Sequence, residues 1–269
     1  RYGSANQEGT AHIDLNYGTG RFASLTSFTF SSFGDLRSGK TRNPFLPDDD
    51  SYINCGIYVK PQNGADDQMI ENDKPELQKR SGYIQYDIMQ KFLYKPNSNA
   101  SHAVNFQLSN TNEFNRYDRL SVMQEKNGQI QPKFAEWYYG PQFRLMTAYT
   151  YDGRHQLGAD NVKLTLAYQN VKESRHDRQF RREELYHTWE NVNMITLNTD
   201  WIKYIGSNKL HLGIDGMLSY LKSTAETENV ATGEISPNTT RYPDGDNSMH
   251  TIEAFATHVW TINDKLSLH

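Results

Sequence analysis

The sequence predicts an all-β fold, namely a segment of an antiparallel transmembrane β-barrel. Polar and apolar residues alternate along several stretches, which is the period of a strand with one apolar face. The connections between these stretches alternate between short and long, as they do in transmembrane barrels. No apolar run reaches the roughly 18 residues that a transmembrane helix needs.

The composition supports an amphipathic surface rather than a large aliphatic core. The chain has 269 residues, of which 36% are hydrophobic and 12% aromatic, and its formal net charge is −4. Aromatic rings suit membrane interfaces and binding surfaces. The negative charge and the absence of a basic stripe argue against a nucleic-acid partner. Cys55 is the only cysteine, so we expect a small packed residue and no internal disulfide.

The strands are placed from their alternation. Ile84, Tyr86 and Ile88, for example, alternate with Gln85 and Asp87. We predict strands near residues 10–18, 21–33, 82–95, 101–109, 135–151, 161–172, 190–204, 209–222, 250–262 and 265–269.

The connections orient the predicted barrel. Short turns rich in Gly, Asn, Asp, Pro and Ser fall at 18–20, 96–99, 152–160, 206–208 and 263–264. Long polar stretches fall at 34–81, 110–134, 173–190 and 223–249. Outer-membrane barrels have short periplasmic turns and long extracellular loops, whereas a soluble sandwich has no reason to sort its loops in this way. We therefore expect the protein to lie in the cell outer membrane, in contact with its lipid.

Aromatic residues flank the short turns, as in the girdle where hydrocarbon meets water. The alternative is that aromatic residues are simply common in strands. The residues concerned are Tyr17, Phe22, Phe92, Tyr94, Tyr149, Tyr151, Trp201, Tyr204 and Trp260.

Several segments, in their order and spacing, carry a resemblance to a known family. They lie at residues 4–12, 25–37, 116–120, 136–142, 167–175 and 241–245. Together they resemble the barrel of TonB-dependent outer-membrane receptors, particularly a Bacteroidetes-type branch described as haem or iron receptors. The similarity runs through nearly the whole chain.

The resemblance implies a 22-stranded barrel plugged by an N-terminal domain. Residues 1–269 would then be a partial barrel domain of about ten strands, without the plug and the C-terminal strands. A TonB complex would energise transport through an N-terminal box that this chain lacks. No haem-ligating residue can be transferred from the family to a position in this sequence.

Two histidines and two arginines in the third predicted long loop, 173–190, are candidate ligand contacts. His176 and His187 could bind haem iron. Arg175 and Arg178 could pair with carboxylates, such as haem propionates or those of an acidic siderophore. The alternative is a solvated loop whose acids and bases pair with each other.

Arg116 and Tyr117, with Asp118 and Arg119, form a second candidate cluster at a predicted strand-to-loop junction. These residues would either contact a ligand at the rim of the lumen or anchor the loop. Anchoring is favoured because Arg and Asp readily satisfy each other's hydrogen bonds.

The acidic residues of the first long loop suggest a possible calcium site, formed by residues 48–50 with Asp66 and Asp67. Their spacing lacks an EF-hand pattern, so a solvated acidic tip is the better interpretation. No nucleophile elbow, HExxH, P-loop or dinucleotide fingerprint is present, and we do not expect an enzyme.

The primary hypothesis is a TonB-dependent receptor that imports a small iron-containing ligand, with haem as the first candidate. The same barrel could instead import a siderophore, cobalamin or a glycan. A hypothesis of another class is a soluble all-β carbohydrate-binding or structural module. No intrinsic cofactor is expected, since haem or a ferric siderophore would be cargo.

Overall fold

The computed structural model describes residues 1–38, 56–242 and 245–269. Nearly all of its regular structure is antiparallel strand, which confirms the predicted all-β fold. No helix in this described part of the chain is long and apolar enough to cross a membrane. Cys55 and residues 48–50 lie outside the described residues.

The regular elements comprise one short helix, α1 (Tyr117–Leu120), and a series of strands. In chain order the strands are β1 (Tyr2–Gly3), β2 (Glu8–Thr19), β3 (Phe22–Phe33), β4 (Leu36–Arg37), β5 (Ile57–Lys60), β6 (Gln68–Glu71), β7 (Leu77–Gln78), β8 (Tyr83–Asn97), β9 (Ala100–Thr111), β10 (Phe114–Asn115), β11 (Met123–Lys126), β12 (Gln129–Pro132), β13 (Phe134–Tyr139), β14 (Phe143–Arg154), β15 (Asn161–Gln179), β16 (Glu184–Ile205), β17 (Asn208–Asn229), β18 (Ile235–Pro237), β19 (Asp246–Asn263) and β20 (Leu266–Leu268).

One large sheet dominates the fold. Its strands follow the order β1-β2-β3-β8-β9-β14-β15-β16-β17-β19-β20, and every neighbouring pair is antiparallel. The long strands thus form an up-and-down meander. The connections hold small two-stranded sheets of their own, formed by β4 with β7, β5 with β6, and β11 with β12.

The two faces of the sheet differ in polarity. The register places Ile13, Phe28 and Ile88 side by side on β2, β3 and β8. With Leu166 and Ile214 they belong to what we term the apolar face, where Ile13 is 59% exposed and Ile214 49%. The opposite, polar face carries Asp14, Asp87, Gln107, Lys163 and Asp215. An apolar surface of this extent suits contact with lipid.

Most of the aromatic residues that flank the short turns lie on the apolar face. Tyr17 is 62% exposed, Tyr94 47% and Trp260 45%. The His102 ring packs against Tyr149, with 6.1 Å between ring centres. Tyr204, by contrast, lies on the polar face. It is directly opposite Lys209, and strand alternation places Lys209 on the same face as Asp215.

The central strands are longer than a membrane requires. A tilted strand crosses a bilayer in about 9–11 residues. β2 and β3 have 12 residues each, whereas β15 has 19 and β16 and β17 have 22 each. In a membrane, the ends of these strands opposite the short turns would therefore extend beyond the bilayer.

This extension corrects the predicted long loop at 173–190. β15 continues to Gln179 and β16 begins at Glu184, so only residues 180–183 connect them. β17 likewise continues to Asn229, into the predicted loop 223–249. The strands were missed because both faces of this hairpin are polar, and hydrophobic alternation detects only strands with an apolar face.

The predicted single strand at 135–151 is two strands. β13 ends at Tyr139 and β14 begins at Phe143, with Gly140 and Pro141 between them. Pro141 has no N–H to donate to a sheet. A Cβ atom on Gly140 would collide with the Ser174 hydroxyl on β15, so glycine allows the chain to pass close to β15 at this point.

Candidate functional site

The predicted site residues lie on different sides of the sheet. Strand alternation places Arg175 on the side of the polar face, and Arg116 reaches the same side through its contact with Tyr139. Three others lie on the opposite side of the extended hairpin: His176, Arg178 and His187. Tyr117, the first residue of α1, lines a separate small cavity with Val59 and Phe134.

Tyr139 brings Arg116 and Arg175 together. The guanidinium groups of both arginines lie 5.6 Å from the centre of the Tyr139 ring. Arg116 also lies 5.0 Å from the Trp137 ring and donates from Nη1 to Tyr139 Oη at 2.8 Å. Cations are attracted to the faces of such rings. We call Arg116, Trp137, Tyr139 and Arg175 the Tyr139 cluster.

Within this cluster, Arg116 acts mainly as an anchor. Its Nε donates to Asp118 Oδ1 at 2.8 Å, and its Nη2 donates to Oδ2 of the same carboxylate. This hydrogen-bonded pairing raises the pKa of Arg116 and lowers the pKa of Asp118. The guanidinium is therefore already paired with a carboxylate, as the anchoring interpretation expects.

Arg175 differs from Arg116 because its Nη1 group donates no hydrogen bond. Its Nη2 donates to Glu173 Oε1 at 2.8 Å, but its buried Nη1 has no hydrogen-bond partner. The nearest carboxylate oxygen of Glu190 is 4.0 Å from Nη1, which is too long for a hydrogen bond.

Glu190 and Ser223 extend this unsatisfied region. They are directly opposite each other on β16 and β17 and are 4% and 2% exposed. Both carboxylate oxygens of Glu190 and the Ser223 hydroxyl lack hydrogen-bond partners, and Arg241 Nη1 is 3.9 Å from the carboxylate. Glu190 lies beyond the membrane-spanning part of β16, and burial raises its pKa. Buried polar atoms without partners cost about 1–3 kcal/mol each, so such a group indicates a place for water or a ligand.

The two candidate histidines bind each other instead of facing a ligand. His176 Nδ1 and His187 Nδ1 are 2.6 Å apart, and each residue is 7% exposed. His176 Nε2 is 2.8 Å from Ser174 Oγ, and His187 Nε2 is 3.2 Å from Glu228 Oε2. One arrangement of protons satisfies all four side chains. The Ser174 hydroxyl donates to His176 Nε2, His176 Nδ1–H donates to His187 Nδ1, and His187 Nε2–H donates to Glu228. Both nitrogens of each ring are then occupied, and none is left for haem iron.

Aromatic packing encloses this histidine pair. The Tyr138 ring stacks on His176 with 4.6 Å between centres, and Trp189 stacks on His187 at 5.4 Å. His176 lies beyond the membrane-spanning part of β15, and burial, with a further contribution from His187, lowers its pKa to about 4. His176 is therefore neutral near pH 7. This corrects the prediction of two loop histidines exposed to a ligand.

Arg178 is also committed to the structure. Its Nε donates to Glu136 at 2.6 Å, and its two Nη groups donate to both oxygens of Asp67 at 2.8 and 3.0 Å. The remaining two donors reach the backbone oxygens of Arg182 and Gln62. Because a guanidinium has five N–H donors, none remains for a ligand. This corrects the prediction that Arg178 contacts cargo.

Asp67 is likewise an anchor and not part of a solvated acidic tip. It is 3% exposed, and both of its oxygens accept from Arg178. In the part of the chain that the structure describes, no group of three or more His, Cys, Asp or Glu side chains is placed to hold a metal ion.

Comparisons with known proteins identify the fold. No family model matches the chain, and neither does any curated protein. The chain superposes on the solved structure of the copper transporter OprC with a TM-score of 0.62 and 8% sequence identity over 97% of its length. The fold is that of part of a β-barrel. The match covers 33% of OprC, so the chain spans about a third of that transporter. The ferric citrate transporter FecA, in its unliganded form, matches with a TM-score of 0.40 and 12% identity, covering 96% of this chain and 42% of that one.

The barrel gives each face a role. In a membrane barrel the apolar face contacts lipid and the polar face lines the lumen. The Tyr139 cluster and Glu190 lie on the side of the polar face, which would be the lumen side of such a barrel. Sequence reasoning did not select Tyr139, Glu190 or Ser223, although Tyr139 belongs to the segment 136–142 that carried the family resemblance.

Proposed function

We propose that this chain is part of an outer-membrane transporter that takes up a small iron-containing ligand. In this proposal, acidic groups of the ligand bind Arg175 at the lumen-side mouth of the barrel. The observation that carries the proposal is the unpartnered Nη1 of Arg175, held against the Tyr139 ring and close to the unsatisfied carboxylate of Glu190.

The chemistry of the mouth favours a ligand with acceptor oxygens and a flat or apolar portion. Arg175 Nη1 can donate to a carboxylate, and a charge-assisted hydrogen bond of this kind is stronger than a neutral one. Tyr139 and Trp137 offer ring surfaces beside it. Glu190 and Ser223 would accept hydrogen bonds from ligand hydroxyl groups.

Haem is the first candidate for the cargo. It would be held through its propionates and its flat ring, because the nitrogens of His176 and His187 are occupied on the other side of the sheet. A ferric siderophore, cobalamin or a glycan would use the same donors and acceptors. From the resemblance to TonB-dependent receptors, we further propose that a TonB complex energises uptake.

The soluble alternative has little support. A soluble module would expose an apolar face that includes Leu15 at 66%, Leu166 at 47% and Ile252 at 83%. Soluble monomers rarely expose contiguous apolar patches of this extent.

The test compares Arg175→Ala with Arg21→Ala in the full-length protein. Arg21 is a matched control because it is an exposed arginine beside a short turn, at the opposite end of the strands. Binding of haemin, followed by its Soret shift, and uptake of ferric citrate are both measured. Arg175→Ala should weaken binding of the transported compound by about tenfold or more, because a hydrogen bond to a charged group is lost. Arg21→Ala should bind as the unchanged protein does.

Three results would contradict parts of this proposal. A missing Soret shift, together with uptake of ferric citrate that depends on the protein, would exclude haem. Equal binding by Arg175→Ala and Arg21→Ala would exclude the Arg175 site. Collapse of the proton gradient should stop uptake and leave binding intact, and uptake that persists would argue against TonB-driven transport.

A further inference from the structure

The apolar face changes character in successive rows across β15, β16 and β17. Tyr168, Ile195 and Leu218 form one row, in direct cross-strand register. The next row towards the long connections is Asn170, Asn193 and Tyr220, and the row after that is Lys172, Asn191 and Lys222. Apolar side chains thus give way to amides and a tyrosine, and then to two cations.

The two lysines border a pocket on this outer side of the barrel. The pocket has a volume of about 290 Å³, and Pro141, Trp189, Glu173 and Glu190 also line it. Lys172 and Lys222 are exposed and lie two strand spacings apart, or about 10 Å. Their flexible four-carbon stems allow both ammonium groups to reach one bound group. The carboxylates of Glu173 and Glu190 project to the other face by strand alternation.

Neither ammonium group is neutralised by an ion pair among the described residues. Lys172 lies 5.7 Å from the centre of the Phe143 ring. Asp246 is opposite Lys222 on β19, but the described ion pairs do not include one between them. Asn170 donates to Asn191 Oδ1 at 2.7 Å, which leaves the amide nitrogen of Asn191 as a donor for a ligand. On its outer side, away from the Glu173 and Glu190 carboxylates, the pocket therefore offers two positive charges and one neutral donor.

We propose that this pocket binds the phosphate of a membrane lipid in the leaflet nearest the long connections. The position favours a lipid over a dissolved anion, because only the row of Asn170, Asn193 and Tyr220 separates the lysine row from the apolar residues expected to contact the bilayer. Basic pockets at this depth bind lipid head groups. Acyl chains attached to the phosphate would lie along Ile195, Leu218 and the apolar rows below. The proposal depends on membrane insertion of the barrel and not on the identity of the cargo.

The test uses purified full-length protein and phosphatidic acid, with diacylglycerol and inorganic phosphate as comparison ligands. Native mass spectrometry measures how much of each compound the protein retains. The unchanged protein should retain phosphatidic acid and neither comparison ligand. Lys172→Gln combined with Lys222→Gln should weaken retention by about 30-fold, from the usual contribution of two lysines at a lipid surface.

Two double variants serve as controls. Lys172→Arg with Lys222→Arg keeps both charges and should retain the lipid. Lys91→Gln with Lys163→Gln removes two lysines from the polar face and should also retain it. Cargo uptake by the Lys172→Gln, Lys222→Gln protein should be unchanged, which separates this proposal from the proposed function. Equal retention of diacylglycerol or inorganic phosphate, or equal loss in the polar-face control, would overturn the lipid-phosphate site.

Discussion

Arg178 illustrates how a charged side chain can be used entirely within the protein. Its guanidinium is fully buried between the carboxylates of Asp67 and Glu136, and all of its donors are satisfied. Removing one member of a buried ion pair is costly because the remaining charge is left uncompensated. The role of Arg178 is to fasten the connection that contains Asp67 to the β15–β16 hairpin.

Replacing Arg178 should release that connection. Arg178→Met leaves the buried carboxylate of Asp67 and the partly exposed carboxylate of Glu136 without their cation, at a cost of about 3–5 kcal/mol. Limited proteolysis of the full-length protein should then cleave residues 56–81 at least about tenfold faster. Arg182→Met is the matched control, since the Arg182 side chain is exposed and only its backbone oxygen contacts Arg178. Equal cleavage of the two variants would show that Arg178 does not hold the connection.

The sequence identifies Arg116 and Arg175 as site candidates but does not predict which side chains they contact. Arg175 was selected because arginine suits carboxylate ligands, and Arg116 because it belongs to a polar cluster at a predicted strand-to-loop junction. The structure brings both of them to Tyr139. The link through Tyr139 could not be predicted, because it depends on the register between β13 and β15. The pairing of His176 with His187 was missed for the same reason, since the two residues were assigned to a loop and are cross-strand partners.

At the scale of elements, hydrophobic alternation located the membrane-spanning strands well. The predicted strand at 21–33 is β3 at Phe22–Phe33, and the predicted strand at 209–222 is the part of β17 nearest the short turn. The method failed where strands leave the membrane, because both faces of β15 and β16 become polar there. It also failed at Gly140, where one glycine and one proline divide a strand without interrupting its alternation.

Two glycines of β17 should respond differently to substitution. A Cβ atom on Gly213 would lie 2.5 Å from the Thr199 backbone oxygen and closer still to the Phe255 ring, whereas on Gly216 the nearest atom would be 3.9 Å away. Gly213→Ala should therefore destabilise the barrel by about 1–3 kcal/mol through overpacking. Gly216→Ala is the control and should be nearly neutral. The midpoint of heat-modified gel migration measures both, and equal midpoints would contradict the predicted crowding at Gly213.

For the whole molecule, the division into an apolar and a polar face governs assembly. Leu166 is 47% exposed on the apolar face, and Gln169 lies on the polar face of the same strand. A lysine on the lipid side of a barrel costs about 2–4 kcal/mol near the middle of the bilayer.

Lysine substitutions should therefore reveal which side of β15 contacts lipid. Leu166→Lys should reduce the fraction of protein that assembles in membranes, and Gln169→Lys should not, because the lumen already holds charged side chains. Heat-modifiable migration of membrane extracts measures the assembled fraction. Normal assembly of Leu166→Lys combined with failure of Gln169→Lys would reverse the assignment of the two faces.

The tie between Arg178 and Asp67 also determines what an antibody would recognise on this protein. Asp67 also accepts a hydrogen bond from the backbone N–H of Arg181, so two segments distant in sequence form one continuous surface at the hairpin tip. A synthetic peptide that copies either segment alone would lack its partner and would not reproduce that surface. Antisera raised against such peptides should bind the denatured chain better than the folded barrel, and immunogens should keep both segments joined.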